Sequence, residues 1–228
     1  MALQTDFEHD TAMAEAAADG RPTLVDDRPE VISTPGTQMR VRKRDGSLEP
    51  VNLDKIVKAI SRCAVGLDGV DIMRVATSNI SGLVDEATTT ALDELSIRTA
   101  DALISEEPNY SRLAARLLDT VIDKEVQHQD VYSFSQSVAL GHAQGIIGED
   151  TATMVATHAR KLNAAIRTER NWRYEFFGLR TVYDRYLLRH PETRKVIETP
   201  QYFLMRVATC MAIVCMSLST AIWPSAPT

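Results

Sequence analysis

The sequence predicts a mainly α fold: a small β-hairpin lid on four helices, followed by further helices and a second hairpin. Three observations predict it. Asp45-Gly46 stands between two short runs of alternating side chains, which is a strong local hairpin signal. After Asn52 the apolar residues recur at helical spacing, beginning with Leu53, Ile56, Val57 and Ile60. Gly and Pro then interrupt that spacing about once per helix length, at Gly66, Gly69 and Pro108.

In the first hairpin strand Met39, Val41 and Lys43 share one face and Arg40, Arg42 and Arg44 the other, because side chains alternate along an extended chain. A two-residue type I′ turn at Asp45-Gly46 returns the chain through Leu48 to Val51, where Pro50 lacks an N–H and marks an edge. Asn52 suits an N-cap, and the first helix is expected over residues 53 to 65, closed by the glycines. Lys55 falls in its first turn, where a cation opposes the helix dipole unless an anion is near. Beside Lys43 and Arg44 it reads as part of a polyphosphate site, against the plainer reading of charged edge-strand protection.

A second helix is expected over residues 72 to 84. A third should begin near Thr88-Thr89-Thr90, with Thr90 and Asp93 resembling a capping box, and run until Pro108 stops it. Leu113, Leu117, Val121 and Ile122 give a fourth.

Composition narrows the class. The chain has 228 residues, 44% apolar and 25% charged, which suits one or two globular domains. Residues 1 to 38 hold eight Asp or Glu against two Arg, so they carry the whole net charge of −6 and read as a disordered acidic arm. The rest is neutral overall, with no basic field for nucleic acid. Cys63, Cys210 and Cys215 form no C-x-x-C pair and point to a reducing cytoplasm; each reads as packing rather than nucleophile. Residues 207 to 223 are nearly uncharged but short for a span, so a buried helix is expected and no membrane partner.

The spacing V-x-K-R-D-G, an acidic residue, then N-L-D-K-I over residues 41 to 56 resembles the ATP-cone, the regulatory module of many ribonucleotide reductase large subunits. The resemblance implies an ATP-cone over residues 39 to 130, with effector contacts at Val41, Lys43, Arg44, Glu49, Asn52, Lys55, Thr89 and Lys124. It also implies ATP or dATP, with Mg²⁺, as the bound effector. Lys43, Arg44, Lys55 and Lys124 suit a triphosphate, Glu49 and Asn52 a base edge, and the Thr89 hydroxyl a phosphate. Where the family often carries a His one turn beyond the Thr, this chain has Asp93, which bears on a second nucleotide and on dATP handling.

A polar helical stretch over residues 151 to 167 leads to the aromatic-rich residues 174 to 189, read as a core hairpin and helix. A turn at His190-Pro191-Glu192-Thr193 follows, and Thr199-Pro200 starts another helix as cap and first-turn pair. F-G-L-x-T-x-Y-D-R-Y-L-L and E-T-P-Q-Y-F-x-M-R-V-A resemble the opening of the catalytic domain of class I and II reductases, so residues 131 to 228 are expected to be its incomplete helical part. Pro224-Ser225-Ala226-Pro227-Thr228 resembles the family's first substrate loop.

The thiols and carboxylate of the family's radical chemistry have no counterpart here, so catalysis by this chain alone is not expected. The resemblance implies a homo-oligomer and a radical-generating small subunit as partners of a full-length enzyme. A free-standing ATP-cone module that modulates the reductase is the alternative. A cone-containing repressor would need a zinc ribbon, for which paired cysteines are lacking.

Overall fold

The structure is a computed structural model that describes residues 39 to 43, 46 to 82 and 85 to 222, with side chains as far as Cys215. The expected acidic arm, the loop at Pro224 and Arg44 lie outside the described residues.

Two strands, β1 (Arg40–Arg42) and β2 (Leu48–Pro50), pair antiparallel with Val41 opposite Glu49. Cross-strand partners share a sheet face, so this register puts Glu49 on the same face as the buried Val41. The turn is not the two-residue type expected. Lys43 N–H donates to Ser47 C=O at 2.8 Å and Gly46 N–H to Lys43 C=O at 3.0 Å, which encloses three loop residues. Gly46 takes the positive φ of 85° that a three-residue loop of this kind demands. Pro50 sits on the edge strand, as its missing N–H requires. A short β3 (Ala87–Thr88) adds to β1 in parallel, and two residues are too few to show a strand period in the sequence.

Four helices lie with this sheet: α1 (Leu53–Ala64), α2 (Ile72–Ser81), α3 (Thr89–Ala102) and α4 (Asn109–Gln127). Asn52 caps α1 as expected, its side chain accepting from Lys55 N–H. α2 stops at Ser81, short of residue 84, where Gly82 N–H satisfies Ile80 and Ser78 carbonyls. The cap of α3 is Thr88 rather than Thr90: its hydroxyl accepts from Ala91 N–H at 3.1 Å, and Asp93 is left for another partner. α3 also ends at Ala102, well before Pro108, because Leu103 N–H closes it with a shorter-range bond to Ala100 C=O. Between α2 and α3 the wholly buried Asn79 is held by Ser96 (2.6 Å) and Thr99 (3.3 Å).

Beyond α4 come α5 (Phe134–Ala143), α6 (Glu149–Ala165), a 3-10 turn (Thr168–Arg173), α7 (Phe176–Arg185) and α8 (Pro200–Ile222). The aromatic-rich stretch is therefore mostly helix. Its hairpin is confined to a bridge between Arg189 and Val196 around the expected turn, with Ile197 N–H donating to Leu188 C=O. α4 is the central post. Its Leu113, Leu118 and Ile122 share one core with Ile60 of α1, Ile97 of α3, Leu179 of α7 and Val196. A smaller core of Phe134, Val138, Ile147 and Val155 holds α5 to α6.

The E-T-P-Q motif does structural work. Glu198, 1% exposed, accepts from Leu188 N–H and takes both ends of the Arg206 guanidinium at 2.9 and 3.0 Å. Thr199 caps α8 over Tyr202 N–H, and Gln201 joins Arg167 C=O to Asn171. Over residues 207 to 215, the part of the expected buried helix whose side chains are described, α8 is half-exposed: Val207, Met211 and Val214, like Leu204 before them, face outward, since α5, α6 and α7 cover other parts of the helix. Cys215 is exposed too, and Cys210 half-buried beside Thr151. No helix among the described residues is long and apolar enough to cross a membrane.

Candidate functional site

Under the hairpin lies a cavity of about 720 Å³. β1 and β2 roof it with Val41, Lys43 and Glu49, and Asn52 and Lys55 at the start of α1 form one rim. Thr89, Leu92, Asp93 and Ser96 line it from α3, at the spacing of a single helix face. Leu117, Thr120 and Lys124 do the same from α4, and His128 from the cap at its end. Ile56, Ile60 and Cys63 close the apolar floor. Of the residues expected at an effector site, seven surround this one space, and Arg44 falls outside the described residues. Sequence reasoning missed Arg62, Thr120 and His128, which come from parts of α1, α4 and its cap that carried no motif.

The cations were expected to await an external anion, but the chain supplies its own. Lys43 Nζ lies 2.6 Å from Glu49 Oε1, and Lys55 Nζ lies 3.2 Å from Glu49 Oε2. The Lys43 hydrogen bond, then that of Lys55, holds the Glu49 carboxyl below the usual carboxylate range, so Glu49 is an acceptor only. This also answers the dipole penalty on Lys55. Lys124 Nζ is gripped by both oxygens of Asp93, at 3.0 and 3.2 Å. Asn52 spends its carbonyl oxygen on Lys55 N–H, so what it offers a ligand is its NH₂. Cys63 lines the floor with its thiol pushed up by burial, in contact with Thr120 at 3.8 Å, which suits packing rather than nucleophilic chemistry.

α4 has a second polar face, turned from the cavity. Glu125 accepts from Val196 N–H (2.8 Å) and Tyr183 O–H (3.0 Å), and Gln129 donates to Val196 C=O (2.5 Å). Asp119 takes Asn171 Nδ2 on both oxygens at 3.0 Å. Burial, followed by the charge of Asp123, pushes Asp119 up to about 7, and burial pushes Asp123 up to about 6. One side of the helix thus lines the cavity while the other carries the segments that follow.

A roofed cavity with lysines at its walls and an acceptor beside an amide donor, built on a hairpin and four helices, has polar groups of the kind a nucleotide needs. The sequence comparisons agree. Residues 39–125 match the ATP cone domain and residues 172–223 the ribonucleotide reductase all-alpha domain. The large subunit of ribonucleoside-diphosphate reductase from Danio rerio is 35% identical over 178 residues, covering 75% of this chain and 22% of that protein. The Caenorhabditis elegans large subunit is 35% identical over 176 residues, covering 74% and 22%, and large chain 2 of Saccharomyces cerevisiae 35% over 178, covering 75% and 20%. The chain belongs to the ribonucleotide reductase large-subunit family, and it spans about a fifth of the length of these relatives.

Proposed function

We propose that the cavity binds ATP or dATP as an allosteric effector and that the chain serves as the regulatory N-terminal portion of a ribonucleoside-diphosphate reductase large subunit. The presence of both Glu49 and Asn52 on the wall of one cavity carries this reading. An ionised carboxylate accepts and an amide NH₂ donates, which complements the exocyclic amino group and neighbouring ring nitrogen of adenine. Guanine presents the reverse, a carbonyl and a ring N–H, and would leave both protein groups facing their own kind. Lys43, Lys55 and Lys124 provide phosphate contacts, with the Thr89 hydroxyl beside them, and Val41 packs on the ligand. The positive end of α3 adds to these at Thr89.

Mg²⁺ fits this site only as a passenger. Among the described residues no group of three or more His, Cys, Asp or Glu side chains could hold a metal by itself. Mg²⁺ usually binds through one or two carboxylates plus phosphate oxygens, so it would arrive on the triphosphate and neutralise part of its charge. In the whole enzyme the partners are a second large subunit and a radical-generating small subunit, and the compartment is the cytoplasm. Residues 39 to 130 form the cone and 131 to 228 the helical lead into the catalytic domain.

Calorimetric titration with ATP, dATP and GTP tests the reading. ATP and dATP should bind and GTP at least tenfold more weakly, about the cost of mismatching one or two hydrogen bonds to the base. Equal binding of all three would remove Glu49 and Asn52 from base recognition.

A further inference from the structure

Lys124 is the cation on the α4 wall that faces α3, and it is not free to receive phosphate: both oxygens of Asp93 hold it at 3.0 and 3.2 Å. Asp93 is the less exposed of the two, with 27% of its side chain accessible against 42% for Lys124. It stands one helical turn from Thr89 on the cavity face of α3, beside the helix end most suited to an anion. A bare triphosphate reaching Lys124 must detach that carboxylate and then lie against it, two anions in one pocket. A divalent cation reverses the sign of the contact. Carried on the phosphates, it turns Asp93 from a competitor into a ligand, and it needs a single protein carboxylate to do so. No metal-holding cluster of three or more acidic, His or Cys side chains occurs among the described residues, so an ion here would be shared with the phosphates rather than held by the protein alone.

Resting on the adenine-nucleotide reading, we propose that Asp93 makes the site selective for the metal-loaded triphosphate: it competes with metal-free polyphosphate for Lys124 and ligates the divalent ion of the loaded form. The exchange balances in charge, since Lys124 passes from a carboxylate to a phosphate oxygen and the carboxylate from an ammonium to Mg²⁺. Asp93 therefore acts on which form of the nucleotide binds, while base choice stays with Glu49 and Asn52.

The test is calorimetric titration of the full chain with ATP at matched ionic strength, once with excess Mg²⁺ and once with EDTA, in the wild type, Asp93→Asn and Asp93→Ser. Both replacements sit on a half-exposed helix face, and either one suffices if the other fails to fold. The wild type should prefer the Mg²⁺ form by about tenfold, a difference of one ion–carboxylate contact. Each variant should bind metal-free ATP roughly 3–10-fold more tightly than the wild type, as loss of a partly exposed competing ion pair allows, and the preference for Mg²⁺ should shrink towards unity. A Mn²⁺ titration followed by electron paramagnetic resonance gives an independent readout: ATP-dependent Mn²⁺ binding should be strong in the wild type and weak in both variants. An unchanged Mg²⁺ preference in the variants, or weaker metal-free binding, would overturn the role of Asp93 while leaving the nucleotide site standing. No ATP binding to the wild type in either condition would overturn both.

Discussion

At the residue scale the site was legible where chemistry depends on residue type and short spacing. Lys43, Glu49, Asn52 and Lys55 lie within one hairpin and the helix start after it, so local rules bring them together, and they do line one cavity. Their pairings were not legible. That Glu49 would bridge two lysines depends on the register Val41 opposite Glu49, and a three-residue loop rather than a two-residue one fixes that register. Lys43→Ala should weaken ATP binding by about 1.5–3 kcal/mol at low salt, less as salt rises, because one charge-assisted contact to phosphate is lost. Unchanged affinity by calorimetry would take Lys43 out of the site. Asp119 gives a pH prediction. Its folded value of about 7, and that of Asp123 at about 6, lie above the ordinary 3.8, so between those limits the folded chain binds more protons than the unfolded one. Stability from these two groups is therefore greatest near pH 4 and falls as pH rises to 7. Glu49 and Glu106, held below their usual range by Lys43 and Arg74, act oppositely but only at lower pH. Urea midpoints should drop from pH 5.5 to 7.5, and Asp119→Asn should flatten the drop; a rising midpoint would contradict the burial argument.

At the element scale the helices were legible from apolar period, and their ends less so. Thr88, Thr89 and Thr90 are equivalent as caps in sequence; only the position of β3, one residue earlier, selects Thr88. The aromatic residues after Tyr174 were ambiguous for the same reason, since both strands and helices bury aromatics, and α7 forms because Leu179, Val182 and Tyr183 recur at helical spacing against α4. α4 joins the cavity to the segments beyond it. Glu125→Ala would strand the N–H of the fully buried Val196 and should cost about 1–3 kcal/mol in urea unfolding. A change within a few tenths would show that water or Gln129 takes over.

For the whole molecule, the aromatic residues between 176 and 203 divide into two sets. Phe177 and Tyr186 are exposed, but Phe176, Tyr183, Tyr202 and Phe203 pack against the core that the first four helices share. Such long-range contacts join residues over sixty positions apart, which no local period can announce. Leu179→Ala, at a wholly buried position, should cost about 2–5 kcal/mol and lower amide protection in α4 as well as α7. Loss confined to α7 would mean that the two parts unfold separately.

The central claim is that the cavity under the hairpin is an adenine-nucleotide site, and amide hydrogen exchange with and without saturating Mg²⁺-loaded ATP tests it most directly. Protection should rise in β1, β2, the first turns of α1 and α3 and the cavity side of α4, while α5 and α6, which pack around their own core, stay unchanged. Protection that appears elsewhere, or nowhere, under saturating nucleotide would contradict the account.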